Sequence, residues 1–147
     1  MNMQLLLKRS ASLFLLLAIL FTQSLYATRD EARRAANRAA ISLSIYGFDY
    51  RSNYEIGRLD RGQSVTMART LYRGNEYALT VGGDASARDI DIYVYDRNWN
   101  IVAYDEEYGD VAIGNFNAYY TGTYFIRVKM YSASRNNAYW CMVYGYR

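Results

Sequence analysis

The chain has 147 residues, 17 Lys and Arg against 14 Asp and Glu, 17 Tyr, one Cys, no Pro and no His. Without His it lacks the commonest general base, the Ser-His and Cys-His nucleophile pairs and most zinc sites, and one Cys allows no intrachain disulfide. The near balance of charge gives no reason to expect a nucleic-acid partner.

The first 27 residues read as an export signal. Lys8 and Arg9 form a positive start, Leu13 to Phe21 is an unbroken apolar run, and small residues follow at Ser24 and Ala27. The run is too short to span a bilayer, and no second one follows, so no membrane span is expected after cleavage. Removing Met1–Ala27 leaves 120 residues with 15 basic and 14 acidic side chains, enough for one domain with a core. The expected place is the periplasm or the outside of the cell.

Asp30 to about Ser42 is the convincing helix, in an N-terminal segment covering 28–45. It is rich in Ala and Arg and carries acids in its first turn, where the helix dipole favours them. Thr28 and Glu31 have the spacing of a capping box. Ala32, Ala35, Ala36 and Ala39 give a narrow apolar stripe, suited to packing across a sheet.

From residue 46 to the end the pattern is strand-like. Strands are expected at Asn53–Leu59, Ser64–Leu71, Glu76–Gly82, Ile90–Tyr95, Ile101–Tyr104, Val111–Asn117, Thr123–Tyr131 and Ala138–Tyr146, with Gly, Asn and Asp turns between them. Short strands at this spacing predict an all-β fold, an antiparallel sandwich or barrel with one N-terminal helix. In the penultimate strand Tyr124, Ile126, Val128 and Met130 share one face, with Arg127 and Lys129 on the other. The last strand is apolar on both faces, as in a central or doubly covered strand, and Cys141 within it reads as a buried thiol.

The segment Asp89 to Asp96 alternates with period two. Ile90, Ile92 and Val94 point to a core, and Asp89, Asp91, Tyr93 and Tyr95 point to water. Two readings attach to this polar side. Asp84, Asp89 and Asp91, joined by Asp105 and Asp110 from a nearby loop, offer oxygen ligands for calcium, or else form a solvated acidic face. Tyr93, Tyr95, Trp99 and Tyr104 form a ligand platform for sugar or peptide, or else simply fill strand positions that suit aromatic rings.

The order of Arg61-Gly62-Gln63 before a strand, Gly74-Asn75-Glu76-Tyr77, Asp89-Ile90-Asp91-Ile92-Tyr93 ending in Asp96, and Gly122-Thr123-Tyr124 leading to Val128 resembles the bacterial pre-peptidase C-terminal domain. The resemblance covers roughly Leu59 to Val128. It implies a jelly-roll-like β-sandwich, non-catalytic and exported, in a family where some members bind calcium and some bind collagen or other polymers. Trp99 stands where the family commonly has Gly, and no peptidase domain precedes the sandwich. The expected function is a binding or accessory module for a protein or polysaccharide. The alternative is a calcium-stabilised structural component of an envelope or surface assembly.

Overall fold

The computed structural model of the protein describes residues Ala27–Arg147, without the side chains of Ser52 and Asn53. The expected export signal lies outside the described residues, apart from its last position. One helix, α1 (Arg29–Ser44), precedes eight strands: β1 (Asp49–Leu59), β2 (Ser64–Leu71), β3 (Glu76–Gly83), β4 (Ala87–Tyr95), β5 (Ile101–Asp105), β6 (Val111–Asn117), β7 (Gly122–Ala133) and β8 (Ala138–Tyr146). The helix starts where the capping pattern places it. The Glu31 N–H donates to the Thr28 hydroxyl at 3.2 Å, and the Thr28 N–H donates to the Glu31 carboxylate at 3.0 Å.

The strands form two four-stranded antiparallel sheets, ordered β1-β8-β3-β6 and β2-β7-β4-β5. The chain passes between the sheets at every connection but β4–β5, so neighbouring strands other than that pair are distant in sequence. This is the jelly-roll arrangement of two interlocked Greek keys. The core between the sheets is built from the inward residues of facing strands. Leu79 and Val81 of β3 and Met142 of β8 meet Ile90, Ile92 and Val94 of β4 and Ile126, Val128 and Met130 of β7. Gly114 of β6 faces this core, where a Cβ would stand in ordinary contact with Val94 and Ile92.

The helix lies on the outer face of the first sheet. Ala32, Ala36 and Ala40 pack against Cys141 and Val143. The buried stripe therefore runs at i, i+4, i+8 through Ala40, and Ala39, expected to share it, is only half-buried. Close approach is built into the sheet: a Cβ on Gly82 would stand 2.3 Å from the Ala36 nitrogen. The Thr80 hydroxyl donates to the Ala36 carbonyl at 3.1 Å, satisfying both polar groups in a dry contact. β8 is central and covered on both faces, as its apolar pattern requires. Cys141 is fully buried beneath the helix, and burial pushes its thiol up to about 11.

Candidate functional site

Among the described residues, no helix lies over the outer face of the second sheet. Its side chains come from the outward positions of β7 and β4, from the edge strand β5, and from the β4–β5 turn. In register, Tyr93 stands between Arg127 and Tyr104, Asp91 lies opposite Lys129, and Tyr95 lies opposite Phe125 and Ile101. Residues opposite each other across antiparallel strands share a face and interact directly.

These residues form a continuous stack. The Arg127 guanidinium lies 4.3 Å from the Tyr93 ring centre and 5.5 Å from that of Tyr95. Tyr93 and Tyr95 are themselves stacked, with centres 6.4 Å apart. Tyr95 then meets Trp99 at 5.5 Å, and Trp99 lies flat on Phe125 at 4.3 Å with the rings 2° from parallel. Cation–π contacts of this kind contribute about 0.5–2 kcal/mol, depending on desolvation. The Arg127 Nε is buried with no hydrogen-bond partner, and no carboxylate lies within ion-pair distance of Arg127 among the described residues. Aromatic faces thus stand in for an ion-pair partner beside this guanidinium.

The stack corrects the expectation that Asp89, Asp91, Tyr93 and Tyr95 face water. Tyr93 is 7% and Tyr95 9% exposed, and both aspartates are buried. Period two identified the face correctly, but Arg127 and the β5–β6 loop cover it. Of the expected aromatic platform, only Trp99 (57% exposed) and Tyr104 (62%) reach solvent. Ile101, Tyr108 and Tyr131 add exposed apolar surface on or beside the same face. Tyr93 and Tyr95 are the bed on which the exposed residues rest.

Trp99 occupies the left-handed backbone region, with φ of 65°. A side chain in that region costs about 1–2 kcal/mol relative to Gly. Asp96 holds the turn. Its carboxylate accepts from the Asn98 and Asn100 N–H groups at 2.8 and 2.9 Å, the Asn100 side-chain amide at 2.9 Å and the Tyr119 hydroxyl at 2.7 Å. The Asn100 and Tyr119 bonds, with the two backbone bonds, bring its carboxyl down to about 2.

The acidic residues expected to gather around calcium are dispersed over different tasks. The Asp84 carboxylate accepts from the Ser86 N–H and hydroxyl at 2.9 and 2.5 Å and from the Tyr139 N–H at 3.0 Å, with Arg135 at 3.9 Å. It locks the β3–β4 turn to β8. Asp89 accepts from the Gly109 N–H at 3.3 Å, pinning the β5–β6 loop onto β4. Asp105 accepts from Glu107 and from Ile113, joining the sheet edge β5 to β6. Asp110 has an exposed side chain, and its backbone carbonyl accepts from Gly83 at 2.7 Å. Asp91 lies 3.4 Å from the Tyr93 hydroxyl oxygen and 3.8 Å from the Lys129 ammonium. Burial, then the neighbouring Asp89, raises its carboxyl despite that cation. Burial also raises the Tyr93 hydroxyl, which donates to Glu106 at 2.5 Å. Among the described residues, no three His, Cys, Asp or Glu side chains group as metal ligands.

Sequence reasoning noted Arg127 and Lys129 as outward residues but did not join them to the site. The available signal was their parity on β7, shared with Phe125 and Tyr131. Chemically, the face offers ring surface, one guanidinium and a flanking acidic end at Asp89, Asp91 and Glu106.

No family model matches the sequence, and no curated protein matches it. Among solved structures, the chain is similar to the periplasmic inhibitor of g-type lysozyme from Aeromonas hydrophila. The TM-score is 0.50 and the identity 11%, over 65% of this chain and 85% of that one. The pre-peptidase C-terminal domain of a Bacillus anthracis collagenase gives 0.47 at 17% identity, over 62% and 85%. At these identities the likeness is one of fold, a β-sandwich.

Proposed function

We propose that this chain is an exported, non-catalytic binding module that holds a protein or polysaccharide against the outer face of its β2-β7-β4-β5 sheet. The observation that carries the reading is the asymmetry of the two outer faces. One is closed by α1, and the other is open and presents Trp99, Ile101, Tyr104 and Tyr131 around Arg127. Aromatic residues and Arg are the types most enriched at protein interfaces, where large rigid rings lose little entropy on binding. The same rings suit the apolar faces of sugars. A fold shared with a periplasmic inhibitor of lysozyme supports a binding role outside the cytoplasm. No helix among the described residues is long and apolar enough to cross a membrane. Membership of the pre-peptidase C-terminal family is part of this proposal and rests on the strand motifs from Gly62 to Val128.

The test is capture by purified residues 28–147, using envelope protein extract and isolated cell-wall polysaccharide as separate probes. The reading expects saturable binding to one probe, weakened at least about tenfold in Trp99→Ala/Tyr104→Ala through loss of two contact residues. Binding to neither probe, or binding indifferent to that double variant, would remove the reading.

A further inference from the structure

A second concave site lies on the flank of the sandwich where the sheet edges β1 and β2 part. It is a pocket of about 360 Å³ walled by Arg51 of β1, Tyr72 and Asn75 of the β2–β3 turn, Tyr77 of β3, and Tyr144 and Tyr146 of β8, with Thr70 and Leu71 completing the wall. The volume falls in the range of small-molecule sites, which combine ring surface with a few convergent polar groups. None of the eight lining residues is acidic. Glu76, which borders the wall in sequence, is bound to Arg147 at 2.7 Å.

The polar groups are ordered before any ligand arrives. The Tyr77 hydroxyl accepts from the Tyr72 N–H at 3.0 Å and from the Asn75 side-chain amide at 3.3 Å. With both acceptor positions used, its hydrogen is left to donate. The Tyr146 hydroxyl accepts from Arg51 at 3.3 Å, and Tyr77 braces the Tyr146 ring at 6.0 Å. Arg51 lies over the same ring, 5.2 Å from its centre. The pairing of β1 with β8 shifts register between Tyr50 and Tyr54, and Arg51 falls within the shift. Such irregularities re-aim a side chain, and Arg51 is among those that line the pocket. Arg51 makes no ion pair among the described residues.

The geometry points to a binding site for a single pyranose ring bearing a carboxylate. Tyr72, exposed at the rim, and half-buried Tyr144 supply ring surface for the sugar's apolar face. The Tyr77 and Tyr146 hydroxyls, with the Asn75 amide, match sugar hydroxyls. Arg51 supplies the charge-assisted contact that selects the acid. A wall without carboxylates removes the repulsion such a ligand would otherwise meet. The site is separate from the open sheet face, being formed at the edge farthest from β5.

The test uses residues 28–147 labelled for NMR and titrated with D-glucuronate, methyl β-D-glucoside and acetate. The expected result is saturable glucuronate shifts at the amides of Tyr72, Asn75, Tyr77 and Tyr146. The neutral glucoside should bind there about tenfold more weakly, the discrimination typical of one charge-assisted contact. Arg51→Gln, at an exposed position that leaves the fold intact, should abolish the preference while keeping the weak glucoside binding. Tyr146→Phe should weaken both sugars. The proposal is overturned by the absence of saturable shifts at these residues, by acetate matching glucuronate, or by a preference that survives Arg51→Gln.

Discussion

The two outer faces of this sandwich solve the same problem with opposite chemistry. On the first sheet the outward residues beneath the helix are small, and Thr80 and Gly82 leave room for a helix whose own buried face is alanine. The contact is close and dry, and it fixes one partner permanently. On the second sheet the outward residues are large, and they cover one another: Arg127 on Tyr93 and Tyr95, Trp99 on Phe125. That face is self-supporting and still presents apolar surface to solvent. Small residues at a sheet surface mark an internal docking site, whereas interlocked rings and a guanidinium mark a surface kept for something else.

The contrast breaks first on the helix side. Gly82→Ala places a methyl 2.3 Å from the Ala36 nitrogen and 2.7 Å from the Ala35 Cβ, both held by helix packing. A loss of about 2–3 kcal/mol is expected, as for other overpacked sites, read by urea unfolding together with a fall in helical circular dichroism. An unchanged midpoint would show that α1 does not sit firmly on the sheet.

On the open face the expected effects are smaller, and they separate two terms at Trp99. Trp99→Ala loses the stack on Phe125, worth about 0.5–1.5 kcal/mol beyond area burial, and keeps the left-handed backbone cost. Trp99→Gly loses the same stack and relieves that cost. The glycine variant should therefore be more stable than the alanine variant by about 1 kcal/mol in denaturant titrations. Equal stabilities would mean that the turn is not held at φ near 65°.

Asp91 of β4 and Asp96 of the turn after it should respond to acid in opposite directions. Asp96 has its folded carboxyl brought down to about 2 from 3.8, so its contribution to stability is present above pH 4 and is lost as pH falls toward 2. Asp96→Ala should flatten that acid limb. The raised carboxyl of Asp91 does the reverse: its ionisation costs stability as pH rises through its folded value. Asp91→Asn should leave the melting temperature at pH 7 equal or slightly higher, and a clear fall would make the Lys129 contact stronger than its 3.8 Å separation suggests. The smallest effect is expected from calcium. Asp84, Asp89 and Asp105 already accept hydrogen bonds from the protein and Asp91 faces the Lys129 ammonium, so added calcium followed by chelator should leave the melting temperature in place. A rise of several degrees with calcium would restore the metal reading.

Much of this architecture can be read from the chain. Strand positions follow from period two and from Gly, Asn and Asp turns, and three of the eight strands begin and end where the pattern places them. The doubly apolar pattern of β8 identifies a covered, central strand before any helix is seen above it. What period two cannot supply is the identity of the cover. Tyr93 and Tyr95 have the parity of exposed residues, yet Arg127, more than thirty residues later, lies across them. The aspartates of 84–110 are close in sequence and are recruited to different ends and edges of the sandwich, because Asp84, Asp89, Asp96 and Asp105 each accept from nearby backbone N–H groups while Asp91 faces Lys129. Trp99 was legible as an aromatic in a turn. The reason a bulky residue is tolerated there, the parallel face of Phe125, appears only when β7 is laid beside β4.

The open face is tested most directly by comparing variants of the two faces in one capture assay, with residues 28–147 against envelope protein and cell-wall polysaccharide. Trp99→Ala/Tyr104→Ala alters the open face, and Arg34→Ala/Arg38→Ala alters the exposed side of α1. The account predicts that the first variant loses binding at least about tenfold while the second binds as the unaltered chain does. Binding lost from the helix variant and kept by the open-face variant would contradict it.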